Sequence, residues 1–338
     1  MKIFSIITPT LNSASTIRYY LDSIIKQDYD LSKIEILIID GGSTDMTLSI
    51  AMEYSVYANV RIINNPHRMP EYAKCIGINS ARGKYCVFQD SDEALVNRNS
   101  FRIREEIFNR HNNVNTLILT KLVNPPGYSK WGEYYSSIGD PFSSYVYGPA
   151  FSYLEKFGRY YKKEEYSKYI ICEVAAKKIM PLIDGVQTFR RDKLLKLINK
   201  NVVDTSDVSN ISYILINSSS FFAVTKDDDV LHYASSSCYS ITKKIRSRII
   251  RNVFGDDDAG FMSRVDTIPS WYRYKRYLFL PYAFFVLPAM IDGVKYSIKT
   301  KNIIFMLHFY LAFFTAFEIS WNIFLKLFGV NKKNTRFG

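Results

Sequence analysis

The sequence predicts an α/β protein: a mainly parallel sheet with helices on both faces, followed by a helical, membrane-associated C-terminal region. Three observations carry this. Short apolar strands alternate with helical stretches through residues 1–112, the pattern of a parallel sheet built with right-handed crossovers. Three of the strands end in polar loops: Thr8-Pro9-Thr10-Leu11-Asn12, Asp40-Gly41-Gly42-Ser43-Thr44-Asp45 and Asp90-Ser91-Asp92. In open α/β sheets, ligands bind outside the carboxyl ends of strands. Beyond Arg276, apolar stretches at 277–291 and 303–330 follow one another.

Ile3–Ile7 predicts the first strand. Pro9 and polar neighbours cut the apolar run, so a signal peptide's long apolar region is missing. Ser13 or Ser15 can cap a helix running to about Gln27. Ile34–Ile39 is almost wholly apolar, as a strand covered on both faces requires. A tight turn at Asp40-Gly41-Gly42-Ser43 leads into a helix to about Tyr57, and Val60–Ile63 predicts a third strand. Pro70 to Ala81 reads as a helix with proline in its first turn. Tyr85–Phe88 is a short buried strand, residues 94–112 a helix capped by Asn99 or Ser100, and Thr116–Lys121 another strand. Asn124-Pro125-Pro126-Gly127 breaks the pattern, and residues 128–180 are tyrosine-rich without a readable period. Val230–Tyr233 closes the sheet region.

The formal net charge is +12, which points to anionic partners: nucleotide, phosphate or lipid head group. Four scattered cysteines form no C-x-x-C pair, so neither a disulfide framework nor a zinc site is indicated, and a reducing compartment fits. No G-x-G-x-x-G or Walker loop is present, which removes the main support for dinucleotide or P-loop binding.

Asp90 and Asp92 cannot hold a phosphate directly, but a divalent cation between them and a diphosphate can; Mg²⁺ or Mn²⁺ takes such oxygen ligands. Asp40 offers acceptor oxygens for the N–H of a base or for a ribose hydroxyl. Asp40 and Asp45 also suit turn formation and helix capping. His232, downstream at a strand end, is either a third metal ligand, a diphosphate contact or a structural histidine.

The segments Ser5-Ile6-Ile7-Thr8-Pro9-Thr10-Leu11-Asn12, Ile38-Ile39-Asp40-Gly41-Gly42-Ser43-Thr44-Asp45 and Asn79-Ser80-Ala81-Arg82-Gly83-Lys84-Tyr85, the last leading to Asp90-Ser91-Asp92, resemble a family 2 glycosyltransferase with the GT-A fold. The resemblance covers about the first hundred residues. It implies a nucleotide-sugar donor, a divalent metal (Mg²⁺ or Mn²⁺) and inversion at the anomeric carbon. Carried over, Thr8, Pro9 and Asn12 lie by the nucleoside, Asp40 reads the base, and Arg82 belongs to the donor set. Asp90 contacts the ribose or the metal, and Asp92 is the main metal ligand. Asp184 to Leu195 resembles the family's strand ending in Phe-Arg-Arg before a helix. That makes Arg190 and Arg191 either acceptor or phosphate contacts or a solvated basic pair. Similar enzymes carry a Glu-Asp or Asp-x-Asp general base where this chain has Val203-Asp204-Thr205-Ser206-Asp207. The Glu-Asp pair is absent, so Asp207 is the preferred base and Asp204 the alternative.

The expected domains are a GT-A unit over 1–235, split into a donor half (1–112) and an acceptor side (113–235), then a linker at 236–276, and one or two membrane segments in 277–330. Residues 242–254 place apolar side chains on one helical face and Lys and Arg on the other, which predicts an interfacial helix for an anionic membrane. Flanking Lys and Arg residues favour a cytoplasmic catalytic domain. The expected activity is hexosyl-type transfer from a nucleotide-diphosphate sugar to a lipid-linked saccharide or glycan precursor. The alternatives are a polyprenyl-phosphate sugar synthase and a catalytically silent, membrane-tethered nucleotide-binding module. Nucleic acid is not an expected partner.

Overall fold

The structure is a computed structural model that describes residues 2–149, 151–174, 183–197, 211–234, 237–255 and 270–330. The chain divides into two compact units. The first comprises Met1–Val123, Ser152–Lys178 and Ile183–Tyr233; the second comprises Asn124–Phe151, Ile179–Leu182 and Ala234–Gly338. The tyrosine-rich stretch that follows the Pro125-Pro126 break is thus shared between the two.

The first unit is built on a sheet with strands β1 (Phe4–Thr10), β2 (Ile34–Asp40), β3 (Asn59–Asn64), β4 (Tyr85–Phe88), β6 (Thr116–Ile118), β8 (Lys162–Glu165), β9 (Tyr169–Glu173), β10 (Gln187–Arg190) and β11 (Phe221–Thr225). Their order is β3-β2-β1-β4-β10-β6-β11-β9-β8. β1 pairs in parallel with β2 and β4, and β2 with β3. β10 is antiparallel to both β4 and β6, and β9 is antiparallel to β11. Half of the sheet is therefore parallel, as the early strand–helix alternation predicts, and half is mixed. β1 and β2 are buried along their whole length, because helices such as Pro70–Ser80 pack on β1 and β2. A small second sheet joins β5 (Glu93–Leu95), β12 (Val230–His232) and β7 (Leu122–Val123). The expected helix over 94–112 accordingly begins only at Ser100, since Glu93–Leu95 is taken by β5.

The second unit is helical: Lys130–Ile138, Pro141–Tyr147, Cys238–Phe254, Phe279–Phe284, Leu287–Thr300 and His308–Leu327. A Ser237–Ser240 capping box opens Cys238–Phe254. The apolar face of this helix (Ile241, Ile245, Ile249) packs in a core with Tyr134, Tyr135, Phe305 and Leu311. The apolar face of the expected interfacial helix is therefore occupied by the protein, while Lys243, Lys244, Arg246 and Arg248 on its basic face are exposed. Among the described residues, one helical stretch, Ile303–Leu327, is long and apolar enough to cross a membrane.

Candidate active site at the carboxyl edge of the parallel strands

The polar loops after β1, β2 and β4 are tied together at one sheet edge. The Asn12 N–H donates to Ser43 Oγ at 2.9 Å, and Asn12 Oδ1 accepts from the Thr44 N–H at 2.8 Å. Asn12 holds a left-handed φ of +49° to do so, a conformation asparagine tolerates better than most residues. Ala14 N–H donates to Asp45 Oδ2 at 3.1 Å, and Asp45 also caps Thr47. Ser13 Oγ and Ser91 Oγ lie 2.8 Å apart, which joins the first loop to the acidic one.

Asp40 is buried, and its carboxylate accepts from the Gly42 N–H (2.9 Å), the Ser43 N–H (3.0 Å) and Ser43 Oγ (2.6 Å). The turn needs glycine at position 42, where φ is +89°. Asp40 thus shapes its own loop while keeping spare acceptor capacity. Asp92 keeps 29% of its side chain exposed, and its Oδ2 lies 3.6 Å from His232 Nε2.

Three further groups converge here that sequence reasoning missed. Glu93 is buried and takes a hydrogen bond from the Asp90 N–H at 3.0 Å. Lys74, from the helix Pro70–Ser80, lies 5.4 Å from the centre of the Phe88 ring. Asp184 enters just before β10, whose Gln187 pairs with Phe88 at the end of β4. Burial and then the neighbouring Asp92 and Asp184 raise the Asp90 carboxyl, against the opposing pull of Lys74. Burial, then Asp90 and Asp92, push Glu93 well above the usual carboxylate range. Burial works against the Lys74 charge, but Asp90 and Asp184 more than compensate, and its pKa is raised. Among the described residues, the edge is an acidic cluster with the Lys74 cation beside it, and the Arg68 guanidinium lies against the Gly42 turn. Position 185 must be glycine: φ is +78°, and a Cβ would fall 2.8 Å from Leu122 Cδ2 and 3.3 Å from Glu93 Oε1.

The remaining expected contacts divide between the two ends of the strands. Thr8 is buried, and its hydroxyl bonds to Tyr20 in the core; Pro9 is buried within β1. Both lie toward the carboxyl end of β1, beside Ile38 and Ile39, which lead to Asp40. Arg82 precedes β4, at the end of that strand opposite Asp90, and its N–H donates to Glu35 Oε1 at 2.6 Å. Arg190 pairs with Tyr85 at that same far end. Its guanidinium is buried, with Nε donating to Val114 O at 2.8 Å and Nη2 to His111 O at 2.9 Å. Arg191 follows, with its N–H on Lys84 O at 3.1 Å. All three thus lie at the end of β4 opposite Asp90, and the Arg190 guanidinium is taken up by backbone carbonyls. Asp204 and Asp207 lie outside the described residues.

Asp90, Asp92 and His232 share the edge but do not close into a ligand cage: among the described residues, no three His, Cys, Asp or Glu side chains are grouped so as to hold an ion. Asp90 and Asp92 bring carboxylate oxygens to this edge, the donor type that Mg²⁺ and Mn²⁺ prefer.

Residues 5–112, which contain all three loops, match the family model "Glycosyl transferase family 2". This segment belongs to that family. Over 129 residues the chain is 30% identical to the poly(ribitol-phosphate) β-N-acetylglucosaminyltransferase TarS of Staphylococcus aureus, a match covering 38% of this chain and 22% of TarS. Over 90 residues it is 38% identical to a dolichyl N-acetyl-α-D-glucosaminyl phosphate 3-β-D-2,3-diacetamido-2,3-dideoxy-β-D-glucuronosyltransferase of Methanococcus voltae, covering 26% of this chain and 28% of that one. The chain thus matches about a quarter of the length of these relatives. Among solved structures, residues 1–349 of S. aureus TarS align over 98% of this chain and 93% of that one, with TM-score 0.51 and 14% identity. The mannosyltransferase PcManGT of Pyrobaculum calidifontis aligns over 94% of this chain and 87% of its own, with TM-score 0.54 and 16% identity. The fold is that of GT-A type transferases.

Proposed function

We propose that this protein is an inverting, metal-assisted glycosyltransferase that moves a sugar from a nucleotide-diphosphate sugar to a lipid-linked saccharide or glycan precursor at the cytoplasmic face of a membrane. The observation that carries the reading is the convergence of Asp40, Asp90 and Asp92 on one sheet edge within a family 2 segment. The relatives support the donor class: TarS has been crystallised with UDP, and PcManGT with GDP-mannose and Mn²⁺.

Asp40, with its loop fixed by Ser43, is placed to accept from a base N–H or a ribose hydroxyl. Asp92, with Asp90 and His232 beside it, would hold a divalent cation next to the donor diphosphate. When bound there, Mg²⁺ or Mn²⁺ would supply positive charge against the leaving diphosphate. Lys74 neutralises part of the carboxylate charge that would otherwise repel the diphosphate. Deprotonation of an acceptor hydroxyl falls to a carboxylate, for which Asp207, or else Asp204, is the candidate.

A screen of nucleotide-sugar hydrolysis by the full chain with Mn²⁺, Mg²⁺ or EDTA tests this. Release of nucleoside diphosphate from one donor, abolished by EDTA, is the expected result. Silence toward every donor would leave a nucleotide-binding module; turnover that EDTA does not touch would remove the metal.

A further inference from the structure

The helix His308–Leu327 buries Leu311, Ala312 and Ala316 in the apolar cores of the second unit, yet its largest apolar side chains point the other way. Its inward face carries Glu318 and Asn322, both buried. Arg246 clamps Glu318 Oε1 with Nε at 2.8 Å and Nη2 at 2.7 Å. Its outward face shows Phe313, Phe317, Trp321, Phe324 and Leu327 to solvent. Phe313 touches Phe284 with ring centres 5.6 Å apart, and Leu287–Thr300 adds exposed Met290, Ile291 and Ile298. An exposed aromatic and aliphatic patch of this extent on a highly charged chain marks an interaction surface.

The neighbouring helix decides how such a face can meet a bilayer. Cys238–Phe254 runs beside His308–Leu327 in the same direction: Arg246 meets Glu318, and further along both helices Lys326 Nζ donates to Val253 O. Lys243, Lys244, Arg246 and Arg248 are exposed along it. If His308–Leu327 crossed a bilayer, these cations would be drawn into hydrocarbon with it, where each is costly. Leu287–Thr300 offers no crossing either. It is bent by 92° from the segment before it. Its 14 residues extend only about 21 Å at 1.5 Å per residue, against about 30 Å of hydrocarbon.

We propose that the second unit docks in the plane of one leaflet of an anionic bilayer, with the outward face of Ile303–Leu327 and its neighbour Leu287–Thr300 among the acyl chains and no segment crossing. Lys295, Lys299 and Lys301 border this face, and with the basic flank of Cys238–Phe254 they remain at the headgroup level, where anionic lipid attracts them. This rests on the membrane reading above and gives it a topology: both ends of the long helix lie on the same side.

The test uses the full chain carrying Lys301→Cys and Val330→Cys, reconstituted in vesicles of phosphatidylcholine and phosphatidylglycerol and treated with an impermeant maleimide. Label is counted per molecule relative to the parent. In-plane docking gives molecules with two added labels or none, whatever their orientation. A crossing helix gives one added label per molecule and overturns the proposal. A second variant, Phe317→Glu with Trp321→Glu, should partition to vesicles at least tenfold less while nucleotide-sugar hydrolysis is unchanged. Partition as tight as the parent's overturns the lipid assignment. A parent chain that stays off vesicles overturns it too, and a dimer split by the same two substitutions would then assign the face to a second copy. Hydrolysis is read separately in each arm, so failure of the enzyme reading leaves the topology result standing.

Discussion

Asp90 and Glu93 close a turn on each other: the Glu93 N–H donates to Asp90 O at 3.1 Å, and the Asp90 N–H donates to Glu93 Oε2 at 3.0 Å. Glu93 is also the first residue of β5, so the small sheet holds the loop from outside. Glu93→Ala would leave a buried N–H without an acceptor, a cost of about 1–3 kcal/mol, and would free the Asp90-Ser91-Asp92 loop. The expected result is a lower melting temperature and donor turnover down by about tenfold, the effect of roughly 1.4 kcal/mol in the barrier. Glu93→Gln retains an acceptor oxygen at the same reach and should recover most of both. Equal loss in the two variants would mean that the turn is not what matters.

The parallel half of the fold was legible because β1 and β2 are mostly apolar and the turn residues sit at their ends. Strand direction was not legible. The run ending in Phe189-Arg190-Arg191 reads the same either way, yet β10 runs antiparallel, which carries the arginines to the far end and brings Asp184 to the site. The Thr8 hydroxyl bonds to Tyr20, a pairing that the sequence motif does not show. Lys74 was missed because one lysine on a helix looks solvated until the sheet below it is known. The three polar loops were legible because each follows an apolar run, so their common edge follows from parallel pairing alone. The segment 242–254 showed its two faces in sequence, but not that protein, rather than lipid, covers the apolar one.

Asp92 should be the most activity-sensitive of the described carboxylates. Asp92→Asn keeps the shape and removes a charged oxygen ligand, and its partial exposure means little packing is disturbed. Donor turnover should fall by about a hundredfold or more, the scale on which lost electrostatic stabilisation of a leaving group is felt, while the thermal melt stays within about 1 °C of the parent, since surface changes cost little. Parent-like turnover in the variant, with EDTA present, would end the metal assignment.

Glu35 predicts an acid limit for the first unit. Its side chain is fully buried. Burial alone would raise its carboxyl, but hydrogen bonds from Ser5, the Arg82 N–H and Arg61 outweigh this and hold it below the usual carboxylate range. A carboxylate lowered on folding contributes stability that is complete above its unfolded value, about 4.3, and is lost as pH falls through the folded value. Glu35→Gln should therefore be less stable than the parent by about 2 kcal/mol at pH 7, the scale of hydrogen bonds to a charged group. The gap should narrow as the pH falls below about 4, where the parent is protonated too. Denaturant melts of both chains at pH 7 and pH 3 check this; a gap that is constant with pH would assign the loss to packing.

Arg190 separates a structural role from a binding one. Its guanidinium bonds to Val114 O and His111 O, and to Phe108 O in the last turn of Ser100–Arg110. It also lies 5.1 Å from the Phe108 ring centre. Phe108 O is one of the acceptors that a helix leaves at its C-terminus, His111 O and Val114 O lie in the turn that follows, and Arg190 donates to all three from the neighbouring strand. Arg190→Ala would strip charge-assisted donors from buried carbonyls, at about 3 kcal/mol or more. Arg190→Lys carries fewer donors in the wrong geometry and should rescue only part of this. At a temperature where the variants are still folded, KM for the nucleotide sugar should match the parent's, because Arg190 lies at the end of β4 away from Asp90. A raised KM or a lost response to acceptor, with stability intact, would return Arg190 to the substrate site.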